Sequence, residues 1–170
     1  MLSVAGLVNY FGKVHLASDE KASDPTSDGM QIKPVLLSKG QTRLAMYGVG
    51  NIKDARMHYE LRSNRVRMFM PEEDNQGKWF NIMLVHQNRS VSKVFAGSPL
   101  LTFPSDRRVK HGPQNSVPEG MFDDSIDLVV WGHEHDCRIE PEAVPRKNYF
   151  ITQPGSSVAT SLSQGESIQK

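Results

Sequence analysis

The sequence predicts an α/β fold, on three observations. Residues 79–85 and 126–131 are short apolar runs, too brief for buried helices; the first stops at a histidine and the second at a glycine that precedes one. Residues 53–64 instead distribute Ala55, Met57, Tyr59 and Leu61 among charged residues, the pattern of a helix with one apolar surface. Residues 34–39 and 43–49, joined by Gly40-Gln41, read as an antiparallel pair of strands at the sheet edge or just inside it.

The remaining elements follow in order. In residues 2–12, Val4, Leu7, Val8 and Phe11 fall at helical spacing, and Gly12 sits where a helix C-terminus favours a left-handed residue. This run is as apolar as a signal-peptide core, but it has no basic segment before it and no small-residue cleavage site after it, so it reads as a helix. Residues 17–29 form a polar Ser/Asp/Lys loop broken by Pro25 and Gly29. Gly50-Asn51 is the turn that starts the helix at 53–64, and His58 in that helix has no special role. Residues 72–77 make an acidic turn before the strand at 79–85. Residues 118–125 make a short helix. Residues 149–152 and 157–160 are closing strands, with Gln153-Pro154-Gly155 as the turn between them.

At 170 residues the chain can bury one sizeable core, so a single domain or a large piece of one is expected. A formal charge of +1 says nothing about a nucleic-acid partner, because phosphate contacts need only a local basic patch. Two basic runs exist, Arg62, Arg65 and Arg67, then Arg107, Arg108 and Lys110, and both read as solvated faces. Cys137 is the one cysteine, which excludes an intramolecular disulfide framework and suits a reducing compartment. A closed structural zinc site would need more thiolates than this. No apolar run approaches the ~20 residues of a membrane span.

Chemistry concentrates at the ends of the two apolar strands. The second runs into Gly132-His133-Glu134-His135, and the first into His86-Gln87-Asn88. A strand end is a stiff base, and a glycine lets the chain turn there and present imidazoles, the commonest side-chain ligands of divalent transition metals. Spacing alone leaves His133 and His135 open between metal ligands and a chance pair on a surface loop, and leaves a lone strand-end His86 more readily structural.

The wider motifs carry a resemblance. Val130-Trp131-Gly132-His133-Glu134-His135 resembles the last metal-binding motif of the calcineurin-like metallophosphoesterases. Four further segments resemble, in the same order, the eukaryotic DNA double-strand-break repair nucleases of the meiotic recombination eleven type, with a fungal character: Leu84-Val85-His86-Gln87-Asn88-Arg89, His111-Gly112-Pro113, the run 118–124, and the run 153–162 with its Gln-Pro-Gly-Ser-Ser. The opening residues 7–13 fit the same family. The resemblance implies the C-terminal part of a metallophosphoesterase domain, two mixed sheets packed as a sandwich flanked by helices. It further implies a nucleus-located, manganese-dependent nuclease, a 3′ to 5′ exonuclease on duplex ends and an endonuclease on single strands. That family works on DNA as a homodimer, with a coiled-coil ABC-type ATPase and a nibrin-type adaptor, and it implies no membrane.

By the same resemblance His86 and His133 ligate one Mn²⁺ and His135 the other, and no further catalytic residue is carried over. Trp131 reads as a packing residue, and Glu134 and Asp136 as loop carboxylates without a role. The family's Asp-x-His, Gly-Asp-x-x-His and Gly-Asn-His-Asp motifs are absent from this sequence, so at most one of the two ions is expected here, and the DNA-capping domain is expected to be missing. Residues 91–107 interrupt the match. They are either a lineage-specific loop or a retained intron, since Val91-Ser92 is what a common splice donor encodes in this frame. Two competing readings are a truncated, non-catalytic fragment with half a metal site, and a small-molecule phosphoesterase, against which the Gln-Asn-Arg and Gln-Pro-Gly-Ser-Ser motifs argue.

Overall fold

Apolar runs that read as strands do form strands, and most of them join one sheet. The computed structural model of the chain describes residues 4–14, 29–50, 52–72, 77–90, 115–158, 160 and 165–166. Its elements are β1 (Met30–Ile32), β2 (Val35–Lys39), β3 (Thr42–Gly48), α1 (Asp54–Arg62), β4 (Val66–Met68), β5 (Phe80–His86), β6 (Arg89–Ser90), β7 (Val117–Pro118), a 3-10 turn at Glu119–Met121, β8 (Leu128–Gly132), β9 (Arg138–Ala143) and β10 (Phe150–Gln153). Six strands make a sheet in the order β2-β3-β5-β8-β10-β9. Its four central strands are parallel and its two edge strands antiparallel to their neighbours. β1 with β4, and β6 with β7, form two small parallel pairs.

Both faces of the central strands are apolar, which is why they read as continuous runs and not as alternating ones. On one face Ala45, Tyr47, Met83, Val85, Val129, Trp131 and Ile151 are buried in a core that includes Met57 of α1, Phe122 and Tyr149. Phe122 meets Trp131 edge to face at 5.8 Å between ring centroids and Tyr149 at 6.5 Å. On the other face Leu44, Met46, Ile82, Leu84, Leu128 and Val130 are half-buried, and Val35, Leu37, Phe80 and Phe150 are exposed. The Phe11 ring lies against Gly48 at the end of β3, where an added Cβ would be 2.7 Å from it.

The α/β expectation holds, as do the helix at 53–64 and the edge pair formed by β2 and β3. Of the expected sandwich, the described residues carry one large sheet and two two-stranded pairs. Other expectations are corrected. Residues 4–14 make a turn and bends in place of a helix: Gly6, inside the expected helix, takes a positive φ of 70°, and Val4, Leu7 and Tyr10 are exposed. Gly12 is nevertheless left-handed as expected. The short helix at 118–125 shrinks to a three-residue 3-10 turn.

The strand expected at 157–160 is not formed by its described residues: Ser156 Oγ donates to the Val158 carbonyl at 2.6 Å and turns the chain. β9 was not foreseen, since Arg138-Ile139-Glu140-Pro141-Glu142-Ala143 is charged and contains proline, both of which an edge strand tolerates. The loop at 17–28, Asn51, the acidic turn at 73–76, the interrupting segment 91–107 and His111-Gly112-Pro113 lie outside the described residues. Among the described residues no helix is long and apolar enough to cross a membrane.

Candidate metal centre

Parallel pairing brings the two strand-end histidines together. β5 and β8 are neighbours in a register that sets His86 opposite Gly132, so both strands leave the sheet at the same end. His86 is the last residue of β5, and His133 follows β8 directly. A Cβ on Gly132 would lie 2.9 Å from Nδ1 of His86 and 3.2 Å from the Val85 carbonyl, so the His86 ring occupies space that only glycine leaves open. His133 itself has a φ of 77°, a left-handed conformation uncommon for any residue but glycine. Its Nδ1 stands 3.4 Å from Nε2 of His86, with ring centroids 5.1 Å apart and planes at 74°. Both rings are exposed.

That separation has a chemical meaning. Two nitrogens each about 2.1 Å from one tetrahedral ion stand about 3.4 Å apart. The separation matches two ligand positions on one divalent cation and equally a hydrogen bond from one ring N–H to the other ring's nitrogen. Imidazole nitrogen by itself suits zinc, copper, iron or nickel, and manganese calls for oxygen ligands beside it. Among the described residues no group of three His, Cys, Asp or Glu side chains converges on a metal position.

His135 faces elsewhere. Its Nδ1 is 2.8 Å from Thr160 Oγ1, and the Thr160 hydroxyl donates to Glu166 Oε2 at 2.9 Å. The carboxylate can only accept, so with the hydroxyl proton directed to Glu166 it is the Nδ1–H tautomer of His135 that completes the chain; in the other tautomer the hydroxyl donates to Nδ1 and Glu166 keeps the Thr160 backbone N–H. In the Nδ1–H tautomer Nε2 carries the lone pair, the arrangement of a ligating imidazole whose other nitrogen is held by a polar partner. The turn at 153–155 backs this loop. Gly155, with φ 73°, passes so close that a Cβ would sit 2.6 Å from the His135 carbonyl, Ser156 N donates to that carbonyl at 3.2 Å, and Gln153 Nε2 donates to the Asp136 carbonyl at 2.9 Å.

Each residue after His86 is pinned by a different neighbour. Trp131 Nε1 donates to the Gln87 carbonyl at 2.8 Å, and Gln87 Nε2 donates to the Ile52 carbonyl at 3.0 Å. Asp54, in the first turn of α1, accepts from both the backbone N and Nδ2 of Asn88 at 2.8 Å. Arg89 is only 3% exposed; its guanidinium donates to Glu119 at 2.6 Å, Gln153 at 2.7 Å and Glu142 at 2.6 Å, and its backbone N donates to Glu134 Oε1 at 2.8 Å. Trp131 is thus more than packing, and Glu134 has a partner that the sequence reading did not give it. Asp54, Arg89, Thr160 and Glu166 were also missed. For Asp54 a signal existed, since an acidic residue in a first helical turn seeks backbone N–H groups. Of the first basic run, Arg62 and Arg67 are exposed while Arg65 pairs with Glu60 at 3.4 Å.

No protein-family model matches the chain. Among individual proteins, it is 60% identical over 170 residues to the double-strand break repair protein MRE11 of Coprinopsis cinerea, covering 100% of this chain and 20% of that protein. It is 43% identical over 170 residues to MRE11 of Homo sapiens, again covering 20% of it, and 40% identical to the double-strand break repair protein mus-23 of Neurospora crassa, covering 19%. The chain spans about one fifth of the length of the curated relatives it matches. Throughout its length, this chain is a homologue of the MRE11/mus-23 double-strand break repair proteins found across fungi, animals and plants.

Proposed function

We propose that this chain is the histidine-bearing part of the nuclease domain of a double-strand break repair protein. In that reading the whole protein works in the nucleus on DNA, degrading duplex ends 3′ to 5′ and cutting single strands, as a homodimer with a coiled-coil ABC-type ATPase and a nibrin-type adaptor. The observation that carries it is the pair His86 and His133, held 3.4 Å apart by two adjacent parallel strands in a chain homologous to MRE11. His86 and His133 would hold one Mn²⁺ and His135 would hold the second through Nε2. Bound ions of this kind neutralise phosphate charge and lower the pKa of water for in-line hydrolysis. The protein's part is to present three imidazoles from loops anchored to the sheet, with Nδ1 of His135 tied to Thr160 so that its other nitrogen is the ligand.

A second reading is favoured by the same geometry. Among the described residues two imidazole nitrogens stand 3.4 Å apart, and no group of three His, Cys, Asp or Glu side chains could hold a metal ion. On that ground the isolated chain holds a single ion weakly and does not cleave DNA, the rest of the centre coming from residues it lacks. Calorimetric titration of Mn²⁺ into the chain and its His86→Ala, His133→Ala and His135→Ala variants, with nuclease assays on the same samples, separates these cases. Binding that His86→Ala and His133→Ala lose and His135→Ala keeps, without cleavage, supports the half-site. Cleavage by the chain alone would overturn it. Grafting the chain into the corresponding stretch of the Coprinopsis relative tests the repair role: survival after break induction should be restored, and lost again with His133→Ala.

A further inference from the structure

Outside the three histidines, one contact joins the two loops that carry them. Glu134 stands between His133 and His135, and its Oε1 accepts the backbone N–H of Arg89, three residues beyond His86, at 2.8 Å. His133 needs such a restraint. Its φ of 77° is a conformation that a side-chain-bearing residue leaves unless the surroundings hold it, and its own ring is exposed and touches His86. Arg89 is a fixed point to hold it against, because its buried guanidinium is tied to Glu119, Gln153 and Glu142. The bridge closes a ring through His86, Gln87, Asn88, Arg89, Glu134 and His133. A charged acceptor on a backbone N–H is also a stronger restraint than a neutral one.

We infer that Glu134 is a positioning residue, whose carboxylate holds His133 in its left-handed backbone and thereby sets the spacing of the His86 and His133 ring nitrogens. Its use in metal binding rests on the half-site proposed above; the spacing itself does not. Glu134 makes no metal contact in this scheme and acts only through the Arg89 amide.

The test uses the 170-residue chain with labelled histidines, its Glu134→Ala variant, which removes the acceptor, and its Glu134→Gln variant, which keeps a neutral one. Three quantities are read: the proton cross-peak between the His86 and His133 rings without metal, Mn²⁺ affinity, and the thermal midpoint. The expected result is that Glu134→Ala loses the cross-peak and binds Mn²⁺ about 10- to 100-fold more weakly, at a midpoint close to that of the parent, while Glu134→Gln retains the cross-peak and most of the affinity. A Glu134→Ala chain with an unchanged cross-peak would overturn the proposal. So would equal loss in both variants accompanied by an equal fall in midpoint, which would assign Glu134 to folding. If the parent binds no Mn²⁺ but its cross-peak still depends on Glu134, the half-site fails and the positioning role stands.

Discussion

His86 and Gly132 face each other across β5 and β8, and that single register pairing brings together two histidines 47 residues apart in sequence. The glycine matters for its missing side chain, not for its backbone angles, since the His86 ring fills the place a Cβ would take. Gly132→Ala is therefore expected to leave the sheet intact and to push the His86 ring away from His133. Mn²⁺ affinity should fall about tenfold, the scale seen when the support of a metal ligand is removed, and the thermal midpoint should change little. Calorimetry and thermal unfolding on the same sample check both halves of this expectation.

Much of this was legible beforehand, because the positions of His86, His133 and the strands before them depend on local pattern. Two apolar runs ending in histidines, one with a glycine, already imply ligands offered from strand ends. The supports of those ligands were not legible. Glu119, Glu142 and Gln153 lie 30 to 64 residues from Arg89 in sequence, and nothing local tells a buried arginine from a solvated one. The N-terminal segment shows the opposite: its apolar residues keep a 3.6-residue period, yet Gly6 inside it adopts a left-handed angle and no helix forms. β9 escaped notice because edge strands need no apolar alternation.

Arg89 gives the second prediction. Its guanidinium and the Glu119 carboxylate are both buried, at 3% and 4% exposure. Arg89→Ala leaves the Glu119 charge without its partner, and breaking one side of a buried pair costs about 3–5 kcal/mol. Arg89→Lys should rescue little of this, because an ammonium cannot reach Glu119, Gln153 and Glu142 from one planar fork. Urea unfolding of the two variants beside the parent measures the loss.

Thr160 gives the third. In the Nδ1–H tautomer of His135 the ring donates to Thr160 Oγ1, whose own proton goes to Glu166. Thr160→Val removes that acceptor and should let His135 exchange between tautomers, visible as averaged ring nitrogen shifts in a histidine-labelled sample. Thr160→Ser keeps the hydroxyl and should keep the parent pattern. The stability cost of the valine variant should be about 1 kcal/mol, the net value of an ordinary hydrogen bond.

The last prediction concerns alkaline pH and the two tyrosines under the sheet. Burial, and then the negative charge of Asp123, push the Tyr47 phenol from 10.0 up to about 12. Burial also pushes Tyr149 up; a hydrogen bond from the Phe122 backbone opposes that shift, and the charges of Asp124, Glu119 and Asp123 add to it. Both phenols donate to backbone carbonyls, Tyr47 to Phe69 at 3.2 Å and Tyr149 to Glu119 at 2.6 Å, so each is needed in its neutral form. A folded pKa above the unfolded one means that the unfolded chain releases protons first. Stability is then fully present below about pH 10 and lost as pH rises through 12. The denaturation midpoint of the parent should fall across that interval, and that of Tyr47→Phe should fall less steeply from a slightly lower neutral-pH value. Tyr149→Phe should be the more damaging change at neutral pH, by about 1–3 kcal/mol, because it leaves the Glu119 carbonyl without that partner in a buried setting. Unfolding curves at neutral and alkaline pH, with tyrosinate absorbance recorded on the folded chain, separate the electrostatic loss from the loss of the hydrogen bonds.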